Sequence, residues 1–122
     1  MKPTLIIGAS TNPHRYSYTA IKRLQGRNHP IYAIGRREGE VAGISIVTDK
    51  AQLNLPSDLH TVTLYIRPEF QESYIDWIIA LNPNRVIFNP GTENVQFAQR
   101  LEEEAIPYLY ACTLVMLGTG QY

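Results

Sequence analysis

Short apolar runs alternate with helix-length segments from one end of the chain to the other, and that alternation restricts the fold more than any other feature. Residues 4–7, 31–34, 44–47, 62–66, 85–89 and 107–111 read as six strands. Between them, residues 17–25 place Tyr18, Ile21 and Leu24 near one helical face and stop at Gly26. Asp49 caps a single turn that Pro56 ends, with Asp58 as a second cap. Residues 69–81 repeat Phe70, Tyr74, Trp77, Ile78 and Leu81 at steps of three and four, the spacing of a core-facing stripe. Residues 94–104 form another helix with Phe97, Ala98, Leu101 and Ala105 turned inward, and a short apolar tail follows the last strand. Seven of the eight prolines fall at the borders of these elements, as suits a residue without an N–H and with a fixed φ.

The strands are apolar without strict alternation, the pattern of a sheet covered on both faces. Alternating β and α elements imply a mainly parallel sheet with right-handed crossovers. The expected architecture is one α/β domain over residues 1–122, a five- to six-stranded sheet with helices on both faces. A chain of 122 residues, 44% hydrophobic, supports its own core. No apolar run approaches the ~18 residues a membrane span needs. The start of the chain has too short an apolar stretch for a signal peptide, so a cytoplasmic domain is expected. Cys112 is the sole cysteine, which excludes an intrachain disulfide and a multi-cysteine metal site.

The formal net charge is zero, but the charges are segregated. Seven basic residues, Lys2 to Arg37, precede the first acid, Glu38, so the first 37 residues carry +7 and the remainder −7. Such asymmetry points to an anionic ligand on one part of the domain.

In parallel sheets of this kind, ligands sit beyond the carboxyl ends of the strands. The segment after the first strand is Gly8-Ala9-Ser10-Thr11-Asn12-Pro13-His14-Arg15-Tyr16. Gly8 permits a sharp turn and close approach of a ligand to the backbone. Ser10, Thr11 and Asn12 supply polar groups where a helix directs its positive end. The segment reads either as a phosphate cradle or as a polar turn that caps a helix. No further glycine follows before Gly26, so the dinucleotide fingerprint G-x-G-x-x-G is absent. Arg15 opposes the helix dipole, so it reaches a phosphate or points to solvent.

After the second strand stands Gly35-Arg36-Arg37-Glu38-Gly39-Glu40. An NAD protein would place an acid here to hold the ribose hydroxyls. Two arginines suit a phosphorylated ribose instead, as in NADP or coenzyme A, or they form a solvated basic turn.

Taken in series, these segments resemble the small stand-alone CoA-binding proteins, relatives of the CoA-binding domain of succinyl-CoA synthetase alpha subunits. The stretch Ile7-Gly8-Ala9-Ser10-Thr11-Asn12-Pro13-His14-Arg15-Tyr16-Ser17 is similar to that family's opening motif. Ile34-Gly35-Arg36-Arg37 with Gly43, then Tyr65-Ile66-Arg67-Pro68-Glu69-Phe70, then Asn89-Pro90-Gly91-Thr92-Glu93-Asn94, and finally Cys112 continue the likeness in order. The family commonly has Asn-Pro where this chain has Gly35-Arg36. The resemblance implies a Rossmann-like fold that binds CoA or an acyl-CoA. It implies that Gly8, Ala9, Ser10 and Asn12 cradle the pyrophosphate, with Thr11, Arg15 and Tyr16 in the same segment. Gly35, Arg36 and Arg37 then meet the 3′-phosphoribose, Ile66, Arg67 and Pro68 line the path of the adenine or pantetheine, and Pro90, Gly91 and Thr92 lie near its reactive end.

The synthetases' phosphorylated histidine lies in a second domain, and His14, His29 and His60 match no such position. No Ser–His–Asp arrangement, carboxylate pair or metal-ligand spacing emerges, so binding without catalysis and without a metal is expected. Cys112 is either a packing residue or a thiol able to form a mixed disulfide with CoA. Tyr108, Tyr110 and Tyr122 are candidates for a contact with a second copy or a protein partner. Nucleic acid is not expected as a partner. The rival readings are an NADP-binding domain of an oxidoreductase and an interaction module without a ligand.

Overall fold

The computed structural model describes residues 1–122. Seven strands form one sheet: β1 (Thr4–Ala9), β2 (Ile31–Gly35), β3 (Gly39–Val41), β4 (Ile44–Val47), β5 (Thr61–Leu64), β6 (Arg85–Phe88) and β7 (Tyr108–Tyr110). Four helices accompany them: α1 (Tyr16–Gly26), α2 (Glu72–Leu81), α3 (Val95–Glu103) and α4 (Thr113–Gly118). The strand order is β3-β4-β2-β1-β5-β6-β7. All neighbouring pairs are parallel except β3 and β4, which form an antiparallel hairpin at one edge.

Helices cover both faces, as expected. On one face α1 and α4 bury Ala20, Ile21, Leu24, Met116 and Leu117 against Ile6, Ala33 and Ile87. On the other, α2 and α3 bury Ile75, Ile78, Phe97 and Leu101 against Leu5, Ile7, Leu64 and Phe88. The alternate residues of β1 thus divide between two cores, which is why the strand reads as a continuous apolar run. No helix is long and apolar enough to cross a membrane.

Several expectations change. The seventh strand, β3, was not anticipated, because Gly-Glu-Val carries little apolar signal; it forms by folding back on β4 through the Ala42-Gly43 turn. The apolar tail contains α4, whose Met116 and Leu117 complete one core. The expected helix at residues 69–81 is divided. Pro68–Phe70 form a 3-10 turn, and α2 starts at Glu72. Phe70 therefore leaves the stripe and is 59% exposed, while Tyr74 and Trp77 are half-buried beside Lys50, whose Nζ lies 4.9 and 5.6 Å from their ring centroids. Ala105 is exposed rather than inward. Its φ of +55° makes it the left-handed residue that ends α3, with Ile106 N–H donating back to Leu101 O at 2.9 Å.

Asp49 caps the 3-10 turn Lys50–Gln52 through a capping box, but Asp58 lies beyond it and caps no helix. Tyr122 is not a surface tyrosine. It is 7% exposed, its hydroxyl bonds Thr4, and Arg85 stacks 4.5 Å from its ring centroid.

Candidate functional site

The carboxyl ends of β2, β1, β5 and β6 lie side by side, so the loops that follow them share one edge of the sheet. The first of these loops is shaped by Gly8, which does not end β1 but kinks it. Its φ is +93°, and the pairing with β2 slips between Ile7 and Ala9 before resuming at Gly35. A Cβ on Gly8 would sit 2.7 Å from Ile66 Cγ2 and 2.9 Å from the Tyr65 carbonyl carbon. Only glycine meets both demands, backbone conformation and space.

Beyond the kink the chain bonds to itself. Asn12 N–H donates to Ser10 Oγ at 3.0 Å, His14 N–H to Asn12 Oδ1 at 3.0 Å, and Arg15 N–H to Asn12 O at 3.0 Å. The side-chain oxygens of Ser10 and Asn12 hold the turn, which leaves the Ser10 hydroxyl hydrogen and the Asn12 amide donors for a ligand. Arg15 is the N-cap of α1, offers no side-chain acceptor, and no acid stands in the first turn. The opening amides of α1 thus keep a positive end uncompensated by the chain. Thr11, Asn12, Arg15 and Tyr16 are all exposed there, and Tyr16 is 75% exposed.

The arginine loop lies against this turn. A Cβ on Gly35 would overlap Ala9 O, so the strand end packs directly under the kinked backbone. Arg36, Arg37 and Glu38 are exposed between Gly35 and Gly39. Of the seven early cations, Arg15, Arg36 and Arg37 stand on these edge loops. Lys2 does not; its ammonium bonds the Tyr122 carbonyl at the opposite edge. Arg67, from the acidic part of the chain, joins the edge and lies 5.8 Å from the Phe70 ring centroid.

The loops after β5 and β6 are fastened by two buried amides. Gln71 Nε2 donates to Ile66 O at 2.9 Å and to Thr92 O at 2.8 Å, while Asn94 Nδ2 donates to Gln71 Oε1 at 3.0 Å. Asn89 Nδ2 donates to Thr63 Oγ1 at 2.7 Å and Leu64 O at 2.8 Å, and its Oδ1 accepts from Thr113 N–H at 2.9 Å. Ile66 is thereby held beside Gly8, with Arg67 and Pro68 next in the chain, and Pro90 and Gly91 stand exposed beyond β6. Thr92 behaves differently from its neighbours: it is buried, and its hydroxyl donates to Asn89 O at 2.7 Å.

Gln71 was not foreseen as a site-building residue. It sits between two helical turns with no pattern to mark it, whereas Asn89 carried a signal as an amide closing an apolar strand. Tyr65 follows β5 directly and is half-buried. Its hydroxyl is buried without a hydrogen-bond partner. Burial is the main cause of its pKa being pushed up to about 12. Cys112 is half-buried at the end of β7. No cluster of three or more His, Cys, Asp or Glu is arranged to hold a metal.

The arrangement offers helix amides and guanidinium groups, the donors that anions require. Similarity to solved structures covers the whole chain. An uncharacterised protein shares 44% identity at TM-score 0.90, covering 100% of this chain and 98% of its own. A hypothetical protein from Pyrococcus horikoshii OT3 shares 21% identity at TM-score 0.84, covering 97% and 82%. A Thermus thermophilus protein shares 19% at TM-score 0.83, covering 99% and 90%. The last two show a common fold. No curated protein matches the chain. The family model for the CoA binding domain spans residues 2–118, nearly the whole chain, and the chain belongs to the CoA-binding domain family.

Proposed function

We propose that this chain binds coenzyme A or an acyl-CoA at the carboxyl edge of its sheet, as a cytoplasmic binding protein without chemistry of its own. The observation that carries the reading is the seating of Gly35 under Ala9, which sets the Arg36–Arg37 loop beside the Gly8–Asn12 turn. The turn and the α1 amides receive the pyrophosphate; the guanidinium groups receive the 3′-phosphate. Ile66, Arg67 and Pro68 guide the ligand past β5. Pro90 and Gly91 flank the far end of the arm, with Thr92 fixing their backbone rather than touching the ligand. Membership of the CoA-binding domain family supports the ligand class.

Calorimetric titration with CoA, dephospho-CoA, NADP and NAD tests this reading. Binding of CoA in preference to dephospho-CoA is the expected result. A response to NADP alone would replace it with the oxidoreductase-domain reading, and silence from all four with an interaction module.

A further inference from the structure

Two glycines bracket the exposed arginine loop, and both touch the β1 turn. Gly35 abuts Ala9 O, as described. Gly39 is the first residue of β3, which is separated from β1 by both β4 and β2 in the sheet. Yet a Cβ on Gly39 would overlap Thr11 Cγ2, and Thr11 Cβ lies 3.8 Å from that position. The loop after β1 therefore reaches across the ends of the intervening strands and rests on the hairpin.

Gly39 has no backbone need to be glycine. Its φ is not positive, and glycine weakens a strand. The need is spatial: the loop 36–38 is pinned to the phosphate-type turn at both of its ends. A third tie lies at the tip of the hairpin, where Gln25 Nε2 of α1 donates to Ala42 O at 2.6 Å. Arg36 and Arg37 thus project from a fixed arch and not from a free loop.

We infer that Gly39 is a positioning residue: by seating β3 against Thr11 it holds Arg36 and Arg37 over the phosphate turn, and so sets selectivity for a nucleotide that carries a ribose phosphate as well as a pyrophosphate. This rests on the CoA reading above. A methyl at residue 39 has to displace Thr11, either by parting the two arms or by rotating the threonine and redirecting its hydroxyl. Parting the arms changes the spacing between the two groups of phosphate donors, and rotating the threonine moves its hydroxyl relative to both.

The test compares CoA with dephospho-CoA by calorimetry in the wild type, Gly39→Ala, Gln25→Ala, and Gly39→Ala combined with Thr11→Ser. Gly39→Ala is expected to cut the preference for CoA about tenfold, the scale of one charge-assisted bond, while the ligand-free melting temperature stays close to wild type. Serine keeps the hydroxyl of Thr11 and lacks the obstructing methyl, so the double variant is expected to recover the preference. Gln25→Ala changes an exposed side chain away from the loop and is expected to lower the preference by a smaller factor.

Full preference retained in Gly39→Ala, or no recovery in the double variant, overturns the inference. Should Gly39→Ala fail to fold, Gln25→Ala decides it, and an unchanged preference there also overturns it. A wild type that binds CoA and dephospho-CoA equally overturns the inference and the 3′-phosphate role of the arginines, and leaves CoA binding at this edge standing. A wild type that binds neither removes the CoA reading itself.

Discussion

Gln71 donates its side-chain amide to the backbone carbonyl of Thr92 at 2.8 Å, across 21 residues of sequence and with no solvent contact. The same amide nitrogen reaches Ile66 O, so one side chain joins the loops that follow β5 and β6. Gln71→Leu keeps the volume but leaves two carbonyls and the Asn94 amide without this partner. It should destabilise the chain by about 2–4 kcal/mol in urea unfolding, given about 1–3 kcal/mol for each buried group left unsatisfied. A loss below about 0.5 kcal/mol, the range of ordinary surface changes, would mean that the loops hold their positions without this tie.

Gly8→Ala tests the kink in β1. The new methyl enters a positive-φ position and meets the Tyr65 carbonyl carbon and oxygen at 2.9 and 3.0 Å, which are backbone atoms held in the sheet by Tyr65 N–H bonding Ile7 O at 2.8 Å. Relief requires the β1–β5 junction to shift. Left-handed strain of about 1–2 kcal/mol adds to the steric cost, so a loss of more than about 2 kcal/mol is expected, with CoA affinity falling in parallel. Unaltered thermal stability would contradict the geometry.

His29 and His60 give the stability a pH dependence. Burial, and then the nearby positive charges, lower both pKa values from 6.5: the N-terminus, Lys2, Arg27 and Arg85 act on His29, and Arg85, Lys2, His29 and the N-terminus on His60. The unfolded chain therefore takes up these protons more readily than the folded one. Their contribution to stability is complete above pH 6.5 and is lost as pH falls through 6.5 toward the lower folded values. Urea unfolding at pH 7.5 and about 5.5 should show the decline, and the double variant His29→Gln with His60→Gln should flatten it. An equal slope in wild type and variant would assign the pH dependence to other groups.

Ala105→Gly should stabilise the chain. Ala105 takes φ +55° after α3, the place where glycine carries no Cβ strain. Relief of the left-handed conformation exceeds the extra freedom glycine brings to the unfolded chain, for a net gain of about 0.5–1 kcal/mol. Thermal unfolding reads it directly, and a loss of stability would show that the Ala105 methyl makes contacts worth more than its strain.

Most of the sheet was legible because burial on both faces writes an apolar run into each parallel strand, as in Leu5, Ile6 and Ile7. β3 was not, because its pairing to β4 depends on the Ala42-Gly43 turn and not on hydrophobicity. α2 was misplaced at its start, since the 3.6 period extended to Phe70 while Pro68 drew the chain into a separate tight turn. Gly8, Ser10, Asn12 and the arginine pair stood out by type and by place after a strand. The amide of Gln71 and the contact between Gly39 and Thr11 did not, because both are relations between distant residues that exist only once the loops are folded together.

Arg36→Ala addresses the assignment of the basic loop. Arg36 is exposed and makes no hydrogen bond or ion pair with the chain, so its removal should leave the melting temperature of the free protein unchanged. A guanidinium that meets the ribose phosphate contributes a charge-assisted bond, so CoA affinity should fall by about 1–3 kcal/mol, about 5- to 150-fold. Affinity for dephospho-CoA, which lacks that phosphate, should change little. Arg36→Lys separates charge from geometry, since a lysine keeps the charge but not the planar fork, and it should recover part of the loss. Equal weakening toward both ligands would move Arg36 to the pyrophosphate, and unchanged affinity for both would remove it from the site.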